Sequence, residues 1–502
     1  MLVYVRADGV GDRALPYNPP ASNHQPDSDL MTIMSITAHT RAIVAAFAHF
    51  DSGAFLRELS ALVAVASESP IPDSAPYLDA YLDIHMRAPL EALGFEVVIY
   101  PNPHPGGGPL LIGRRVEDPA LPTVLMYGHG DVVPGQGDQW RADLAPWQLT
   151  VEGDRVYGRG TADNKGQHWI NLCALKAVID THGKLGFNCT VLLETMEERG
   201  SIGLDEFCQQ HRQELRADAL VASDGPRLEP GTPTLFLGSR GVCNFRLDIN
   251  YREGAHHSGN WGGLLKDPGI RLAHAIACIA DERGQIKVPA WRPVLPDATV
   301  RAMTNACPVV DPNATPAIDL DWGEASLTAP ERLVIWNSFA VLALDLADPA
   351  RPVNAIAPKA TAHCQLRFVV GLRGEDILPA LQAHLDAQGF SDVRVSASRE
   401  RVSEATRVDP HHPLVGFIAD QVAASTGKTP HIMPNLGGSL PNAVFAEGLG
   451  IPTIWLPHSY RSCSQHAPNE HLLLSSVREG LGMMAGVFAA LGTPTGHAAL
   501  RG

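Results

Sequence analysis

The sequence predicts an α/β fold in which a mostly parallel sheet forms the main domain and a smaller α+β domain is inserted into it. In the first half of the chain, short apolar segments that end in polar loops alternate with helical segments. This alternation is typical of a parallel sheet covered on both faces. The pattern changes near residue 240 and returns near residue 399. A chain of 502 residues also exceeds what one compact core usually holds.

The predicted domain boundaries follow these changes. Residues 1–35 are rich in Pro, Asn, Asp and Ser, and we expect them to form a flexible N-terminal extension. The first part of the main domain then occupies residues 40–239, the inserted domain occupies residues 240–398, and the second part of the main domain occupies residues 399–502. The chain would thus leave the main domain once and return to it.

The main domain is predicted to begin with helices, because apolar residues recur at helical spacing over residues 40–65 and 76–94. The predicted strands that follow are FEVVIY, TVLMYGHGD, TVLLETMEE and ALVASDG, with the helical segment HWINLCALKAVID after the second of them. Ligand sites of such sheets gather at the carboxyl ends of the strands. The polar residues at the ends of these segments are therefore the first candidates for ligand-binding or catalytic roles.

The inserted domain is predicted to have the order strand, helix, irregular insertion, strand, helix, strand. Its strands are VCNFRLDINY, ATAHCQLRFVV and DVRVSAS, its helices are IRLAHAIACIA and EDILPALQAHLDAQ, and residues 288–331 form the Pro-rich irregular stretch. The αβ pattern resumes with PLVGFIADQVAAST, IPTIWLP and a final helix near residues 472–491.

Composition excludes several classes of function. A formal charge of −15 argues against nucleic acid and anionic membrane surfaces as partners. No apolar run approaches the roughly 18 residues of a membrane helix, and the N-terminal residues lack the pattern of a secretory signal. The eight cysteines occur singly, without a CxxC pair. Disulfide frameworks and zinc knuckles are therefore poorly supported, and we expect a cytoplasmic protein.

Acidic residues and histidines close the successive predicted strands or flank the helices next to them. They are His129 and Asp131 in GHGDVVP, Asp163 in GRGTADNKG, Glu197 and Glu198 in ETMEERGS, Asp224 in ASDG and His466 in SQHAPNE. Each has an ordinary explanation on its own, such as a loop hydrogen bond, a helix N-cap, a turn or a solvated surface. Their recurrence at the strand ends of one sheet is hard to explain by coincidence.

This set of side chains could hold two metal ions. Imidazole is a common zinc ligand, and an acid beside it can fix the ring tautomer. Two-metal sites have ions about 3.5–4 Å apart, which requires a bridging carboxylate. The metal pair would lower the pKa of a shared water, and a free carboxylate could then take its proton.

Taken in this order, the five motifs closely resemble the co-catalytic zinc peptidase superfamily. That superfamily contains carnosinase-type dipeptidases, glutamate carboxypeptidases, aminoacylases and acetylornithine or succinyl-diaminopimelate deacylases. The resemblance runs from about residue 55 to the end of the chain. It implies two divalent metal ions, with zinc as the first choice and manganese or cobalt as alternatives.

The resemblance also implies a role for each motif residue. His129 and Asp224 would bind different ions, Asp163 would bridge both and be joined to the next residue by a cis peptide bond, and Glu198 and His466 would complete the ligand sets. Asp131 would orient the first histidine, and Glu197 would be the general base that passes a proton from water to the leaving amine.

In relatives, the inserted domain is a lid that also forms the homodimer. AHHSGNWGG resembles the carnosinase-type motif and makes His257 the candidate that polarises the scissile carbonyl, with the adjacent His256 leaving a one-position ambiguity. VNAIAPKATAHCQLRF resembles the stretch that ends in a substrate-carboxylate arginine, here Arg367, with Asn354 as a weaker carbonyl contact. NLGGSLPNAVF resembles a loop that cradles a carboxylate, and the residues concerned are Gly438 and Ser439.

The resulting prediction is a metal-dependent hydrolase, foremost a dipeptidase, that cleaves a small peptide bearing a free carboxylate. An N-acyl or N-carbamoyl amino acid deacylase shares the same metal site and remains the alternative. Two other classes stay open at this point. One is a non-catalytic relative that has lost its metals, and the other is a cysteine hydrolase that uses Cys463 with His458 or His466.

Overall fold

The computed structural model of the chain describes residues 38–69, 71–308, 318–398 and 402–502. The predicted N-terminal extension lies outside the described residues. The helices, numbered in chain order, are α1 (Ala38–Asp51), α2 (Ala54–Val63), α3 (Ala75–Ala80), α4 (Arg87–Ala92), α5 (Lys165–His182), α6 (Leu204–Gln210), α7 (Ser258–Trp261), α8 (Pro268–Ile279), α9 (Ala298–Asn305), α10 (Ala329–Val334), α11 (Gly374–Ala387), α12 (Pro413–Thr426), α13 (Leu474–Leu491) and α14 (Pro494–Leu500).

The strands are numbered in the same way. They are β1 (Glu96–Tyr100), β2 (Leu110–Arg115), β3 (Thr123–His129), β4 (Thr150–Glu152), β5 (Arg155–Tyr157), β6 (Asn188–Glu194), β7 (Ala219–Ala222), β8 (Pro226–Arg227), β9 (Thr234–Phe236), β10 (Gly241–Asn250), β11 (His256–His257), β12 (Ser338–Asp345), β13 (Ala355–Ile356), β14 (Lys359–Phe368), β15 (Arg394–Ala397), β16 (His431–Met433), β17 (Thr453–Trp455), β18 (Ser459–Tyr460) and β19 (His471–Leu473).

The main sheet has eight strands in the order β1-β2-β6-β3-β7-β17-β9-β16. Its centre, β6-β3-β7-β17, is parallel, whereas β1 and β2 join one side in antiparallel pairing and β9 meets β17 in antiparallel pairing. The predicted α/β class is therefore confirmed, with a sheet more mixed than its central strands suggest. The antiparallel pairings lie outside the parallel centre of the sheet, and it is this centre that supplies the candidate residues.

The centre of the main sheet is buried between helices. Every residue of β6 is buried, and β3 is buried from its second residue onward, as their continuous apolar sequences require. Helix α5 packs against β3 on one side and against α1 and α13 on the other. Because α5 is enclosed in this way, its first turn is held rigidly against the carboxyl ends of the strands.

The inserted region forms a second, four-stranded antiparallel sheet in the order β12-β14-β10-β15. Helices α8 and α11 cover one face of it and form a separate apolar core around Phe245 and Trp291. The predicted strands and helices of this region are present. The edge strand β12 was not predicted, because its sequence SFAVLALD lies at the surface and lacks a clear apolar-polar alternation.

Two other expectations need correction. The stretch 288–331 is not wholly irregular, because it contains helix α9, whose N-cap Asp297 accepts a hydrogen bond from the backbone N–H of Val300. The third predicted strand ends at Glu194 and does not continue to residue 198. Within the part of the chain that the structure describes, no helix combines the length and apolar character that crossing a membrane requires.

Candidate metal centre and active site

The carboxyl ends of the neighbouring parallel strands β6, β3 and β7 bring the acidic motifs together. His129 is the last residue of β3, Asp224 follows β7 by two residues, and Asp163 lies just before α5. Glu198 lies in a 3₁₀ turn after β6, and His466 comes from the loop between β18 and β19. Five segments that are distant in sequence therefore converge at one edge of the sheet, where ligand sites of α/β folds occur.

The first ligand group is formed by three buried side chains. The Nε2 atom of His129 lies 3.0 Å from Oδ1 of Asp163 and 3.7 Å from Oδ2 of Asp224. The other ring nitrogen, Nδ1, lies 3.0 Å from the carbonyl oxygen of Asp131 and 3.3 Å from its Oδ1, and so donates its hydrogen to Asp131. With that tautomer, Nε2 and two carboxylate oxygens face one another, which is a donor set suited to a divalent cation.

The second ligand group shares one residue with the first. The Nε2 atom of His466 lies 2.8 Å from Oδ2 of Asp163 and 3.1 Å from Oε2 of Glu198. Asp163 thus offers one carboxylate oxygen to each group, as a bridging ligand must. The buried Oε1 of Glu198 has no hydrogen-bond partner among the described residues, which is costly unless a cation lies nearby. The residues present therefore fit two cations.

The pKa values of the three carboxyl groups reflect this crowding. Burial, and then the charge of Asp163, raise the pKa of Glu198 to about 7 and that of Asp224 to about 6. Burial also acts to raise the pKa of Asp163, but hydrogen bonds from His129 and His466 outweigh it and hold that pKa below its ordinary value.

The pKa values of the two histidines are raised. Hydrogen bonds to Asp163 and Glu198 raise the pKa of His466 to about 11. Burial favours neutral His129, yet hydrogen bonds to Asp131 and Asp163 raise its pKa well above the ordinary value. Protons therefore occupy this cluster when cations do not, and cation binding would release them.

Asp131 organises the loop that carries the adjacent glutamates. Its Oδ1 and Oδ2 atoms accept hydrogen bonds from the backbone N–H groups of Glu197 (3.2 Å) and Glu198 (3.1 Å). These glutamates lie in the 3₁₀ turn Glu197–Arg199, so the alternation of side chains along a strand does not explain why they point differently. The 3₁₀ turn explains the difference, because it places Glu198 in the second ligand group, whereas Glu197 lies outside both groups and lines the adjoining cavity.

Burial raises the pKa of Glu197 well above its ordinary value, and the charges of Asp224, Glu198 and Asp163 add to that effect, while His129 opposes it. A carboxyl group with a raised pKa at a cavity wall is suited to exchanging protons with a bound molecule.

Gly130, between His129 and Asp131, permits this packing. A Cβ atom at this position would lie 2.2 Å from the ring of Tyr81, so no larger residue fits without displacing that buried ring. The hydroxyl of Tyr81 is hydrogen-bonded to His168 at 2.7 Å. The loop after β3 is thus fixed by its surroundings on the side that faces the core.

The cavity beside the two ligand groups has a volume of about 630 Å³. Its wall includes Arg367, Gly438 and Ser439, which the sequence predicts as substrate contacts, and the Nη1 atom of Arg367 donates to Oγ of Ser439 at 3.2 Å. The other lining residues are Asp163, Glu197, Asp224, Gly225, Pro226, Leu333, Leu436, Gly437, Leu440, Arg461, Gln465 and His466. The lining thus combines acidic groups with two arginines and a glycine-rich loop.

Sequence reasoning missed Arg240, which supports the glycine-rich loop from behind. Its guanidinium is only 4% exposed and donates to the carbonyl oxygens of Gly437 (3.1 Å) and Leu333 (2.9 Å). Its own carbonyl oxygen accepts from Ser439 Oγ at 2.7 Å. Burial and the charge of Arg367 lower the pKa of Arg240 to about 10. The signal in the sequence was a single arginine in GSRG, which is too common to single out.

Glu470 and Asn164 were also missed. The carboxylate of Glu470 accepts from the backbone N–H groups of Ala162 (2.8 Å) and Asp163 (3.1 Å) and from Arg159 (2.8 Å). Asn164 donates to the carbonyl oxygen of Ser223 at 2.8 Å, and the Asp163–Asn164 peptide bond is cis, as the resemblance implies. Glu470 belongs to the SQHAPNE motif itself, so the motif supplies both a ligand and the support of another ligand.

His257 and Asn354 lie elsewhere on the inserted region. Strand β11, which contains His257, pairs with β13, and the carbonyl oxygen of Asn354 accepts from the N–H of Ser258 at 2.9 Å. Both residues are exposed, and neither lines the cavity formed by the described residues of the same chain. The structure therefore brings these two candidates close to each other and not to the ligand groups.

The cysteine hydrolase hypothesis does not fit the geometry. Cys463 is fully buried, and burial raises the pKa of its thiol to about 11. His458 is hydrogen-bonded to Ser223 and Asn171, while His466 faces the carboxylates of the second ligand group. A buried thiol with a raised pKa is a poor nucleophile.

The chain is similar to known peptidases in both sequence and fold. Residues 125–490 match the sequence profile of "Peptidase family M20/M25/M40". A Beta-Ala-His dipeptidase of Mus musculus is 37% identical over 186 residues, which span 36% of this chain and only 37% of that protein. A Cys-Gly metallodipeptidase, DUG1, of Candida albicans is 27% identical over 75% of this chain and 80% of its own length.

The fold is similar to that of the solved dipeptidase Dug1p of Saccharomyces cerevisiae. The TM-score is 0.74, the alignment covers 91% of this chain and 100% of that one, and 22% of the aligned residues are identical. Human carnosine dipeptidase 1 has the same fold, with a TM-score of 0.72, 23% identity and coverage of 91% of this chain and 99% of that one.

Proposed function

Because this chain belongs to peptidase family M20/M25/M40, we propose that it is a metal-dependent dipeptidase. Its substrate would be a small peptide with a free carboxylate, and the bond cleaved would be the amide next to the ligand groups. The observation that carries the proposal is the pair of ligand groups sharing Asp163, with Glu197 on the wall of the adjoining cavity. The names of the similar proteins, Beta-Ala-His dipeptidase and Cys-Gly metallodipeptidase, favour a dipeptide substrate.

The proposed cofactor is a pair of divalent cations, with zinc first and manganese or cobalt as alternatives. His129 and Asp224 would hold one ion, His466 and Glu198 the other, and Asp163 both. When bound, such ions polarise a carbonyl oxygen and lower the pKa of a water molecule. The unpartnered Oε1 of Glu198 supports this assignment, because a buried carboxylate oxygen without a donor is stabilised by a cation.

Glu197 is proposed as the general base. Its carboxylate would take a proton from water while the water oxygen attacks the carbonyl carbon of the substrate. The carbon–nitrogen bond would then break, and Glu197 would pass the same proton to the leaving amine nitrogen. Asp131 supports this role, because its hydrogen bond to the N–H of Glu197 fixes the turn from which the side chain projects.

Arg367 and Ser439 are proposed to bind the carboxylate of the substrate, together with the backbone at Gly438. The guanidinium of Arg367 and the hydroxyl of Ser439 already contact each other at the cavity wall. The hydrogen bonds of the buried Arg240 hold the glycine-rich loop, and its positive charge adds to the attraction for an anion.

We assign residues 240–398 to a lid and dimerisation domain, as the sequence predicts, and we propose a homodimer. Edge strand β12 supports a second copy as the partner, because Leu342 and Leu344 on it are 57% and 64% exposed. In such a dimer, His257 and Asn354 would reach the cavity of the other subunit and contact the scissile carbonyl. Their exposure outside their own cavity is consistent with that arrangement.

The proposed location is the cytoplasm. All eight cysteines are unpaired, including seven that are buried, which suits a reducing compartment. The formal charge of −15 remains the reason to expect neither nucleic acid nor an anionic membrane as a partner.

The test is a comparison of kcat/KM over dipeptides, N-acyl amino acids and N-carbamoyl amino acids, with zinc, manganese or cobalt supplied separately. We expect dipeptides to be the preferred class with at least one of the metals. Activity confined to the acyl or carbamoyl substrates would show the alternative, a deacylase with the same metal centre. No hydrolysis of any class by a protein that holds its metal ions would contradict the enzyme assignment itself.

A further inference from the structure

A second group of metal-binding side chains lies away from the proposed active site. We propose that His49, Glu58 and Cys173 form a separate site for a thiophilic divalent cation such as Zn²⁺ or Cd²⁺. The three residues come from helices α1, α2 and α5. Cys173 lies eight residues after the start of α5 at Lys165, which is about 12 Å along the helix axis from the end that borders the active site.

The donor atoms are already close to one another. The Nε2 atom of His49 lies 2.8 Å from Oε2 of Glu58, and the Sγ atom of Cys173 lies 3.8 Å from the same oxygen. All three donor atoms lie within 4.8 Å of one another. In a tetrahedral zinc site with bonds of about 2.0–2.3 Å, neighbouring ligand atoms are roughly 3.3–3.8 Å apart. Small side-chain movements would therefore convert the hydrogen-bonded trio into a ligand set.

The charges of the trio also suit a divalent cation. A thiolate at Cys173 and a carboxylate at Glu58 together carry two negative charges, and imidazole completes a common zinc donor set. The nearest cationic side chain on the same helix, Lys176, forms its own ion pair with Asp180 at 2.5 Å. Burial raises the pKa of the Cys173 thiol, so cation binding would displace its proton.

A cavity of about 310 Å³ adjoins the trio and leaves room for a further ligand. Glu58 and Cys173 line it, together with Trp169, the ion-paired Lys176 and Asp180, and apolar residues in and next to α4 and α5. Trp169 is only 7% exposed, and its indole N–H has no hydrogen-bond partner among the described residues. The cavity therefore places two of the three proposed cation ligands, Glu58 and Cys173, beside a buried donor that could serve an exogenous ligand of the cation.

The experiment is a titration of the metal-loaded, full-length protein with Cd²⁺, monitored by the ultraviolet charge-transfer absorption of the cadmium–thiolate bond. The proposed active site contains no cysteine ligand, so it does not contribute to this signal. We expect one thiolate-bound Cd²⁺ per chain in the unaltered protein. The signal should be lost in Cys173→Ser and weakened at least tenfold in apparent affinity in His49→Gln and Glu58→Gln.

Cys189→Ser is the matched control, because Cys189 is another buried thiol and its charged neighbours are Arg115 and Glu117. This variant should keep the cadmium signal. Far-ultraviolet circular dichroism identifies any variant that fails to fold, and His49→Gln changes only a partly exposed side chain. The proposal would be overturned by the absence of a signal in the unaltered protein, by a signal that survives Cys173→Ser, or by unchanged cadmium affinity in folded His49→Gln and Glu58→Gln. Dipeptidase activity is not the readout, so this result is independent of the proposed function.

Discussion

The main sheet and the inserted region differ in how they place their candidate residues. In the main domain, His129, Asp163 and Asp224 are buried and in mutual contact within one chain. In the inserted domain, His257 and Asn354 are exposed and lie outside the cavity of the same chain. Under the proposed function, a single chain would therefore supply the metal ligands, whereas its substrate site would also need residues of a second copy. Metal binding and substrate recognition should therefore respond differently to mutation.

The largest effects should come from the adjacent glutamates of the main domain. Glu197→Gln should lower kcat by about 10²- to 10⁴-fold, the usual contribution of a general base, while the metal content stays unchanged. Glu198→Gln should instead lower the metal content, because Glu198 belongs to the second ligand group. Elemental analysis and initial rates on the same preparations provide the measurement. Equal metal loss in both variants would contradict the separate roles proposed for Glu197 and Glu198.

His257→Ala should lower kcat strongly and leave the metal content intact, because the residue contacts neither ligand group in its own chain. His256→Ala is the matched control and should have little effect, which also resolves the one-position ambiguity between the two histidines. Steady-state rates and elemental analysis of each purified variant measure these effects.

Subunit complementation tests whether His257 acts across a dimer. Co-expression of His257→Ala with Glu197→Gln would give mixed dimers in which one of the two sites has both residues intact. If His257 acts in the partner, an equal mixture should recover about a quarter of the wild-type activity, since half the dimers are mixed. Failure of the co-expressed chains to recover activity would show that His257 does not act in a partner's site, either because it serves the site of its own chain or because no dimer forms.

A smaller effect is expected at the carboxylate end of the cavity. Arg367→Met should raise KM by about 10- to 100-fold, because a hydrogen bond to a charged group contributes about 1.5–3 kcal/mol. Arg246→Met is the control, since Arg246 pairs with Asp248 on the same sheet and does not line the cavity. A similar change in KM in both variants would show a general electrostatic effect and not specific recognition.

The smallest effect should come from Cys463→Ala. The thiol is fully buried, and burial raises its pKa to about 11, so activity should remain close to that of the unaltered protein. Steady-state rates, combined with a thermal melt that reports any loss of packing, provide the measurement. A fall in kcat without a fall in thermal stability would revive the cysteine hydrolase hypothesis.

The same contrast between domains explains what the sequence could predict. The parallel strands β3, β6 and β7 are recognisable because continuous apolar segments are needed for burial on both faces, and the acidic motifs follow them directly. Strand β12 was missed because an edge strand with an exposed surface does not need that pattern.

The residues that hold the candidate site in place could be predicted less well than the candidate ligands themselves. Arg240 and Glu470 act through hydrogen bonds to the backbone of segments far away in sequence, and neither partner can be read from local spacing. The separate positions of Glu197 and Glu198 depend on a 3₁₀ turn held by Asp131, and the sequence of the preceding strand does not indicate such a turn.

The central claim is that two cations share Asp163 in this chain. An anomalous-scattering map of zinc-loaded crystals tests it most directly. We expect two peaks about 3.5–4 Å apart, one beside His129 and Asp224 and the other beside Glu198 and His466, with the carboxylate of Asp163 between them. A single peak, or two peaks that Asp163 does not bridge, would contradict it.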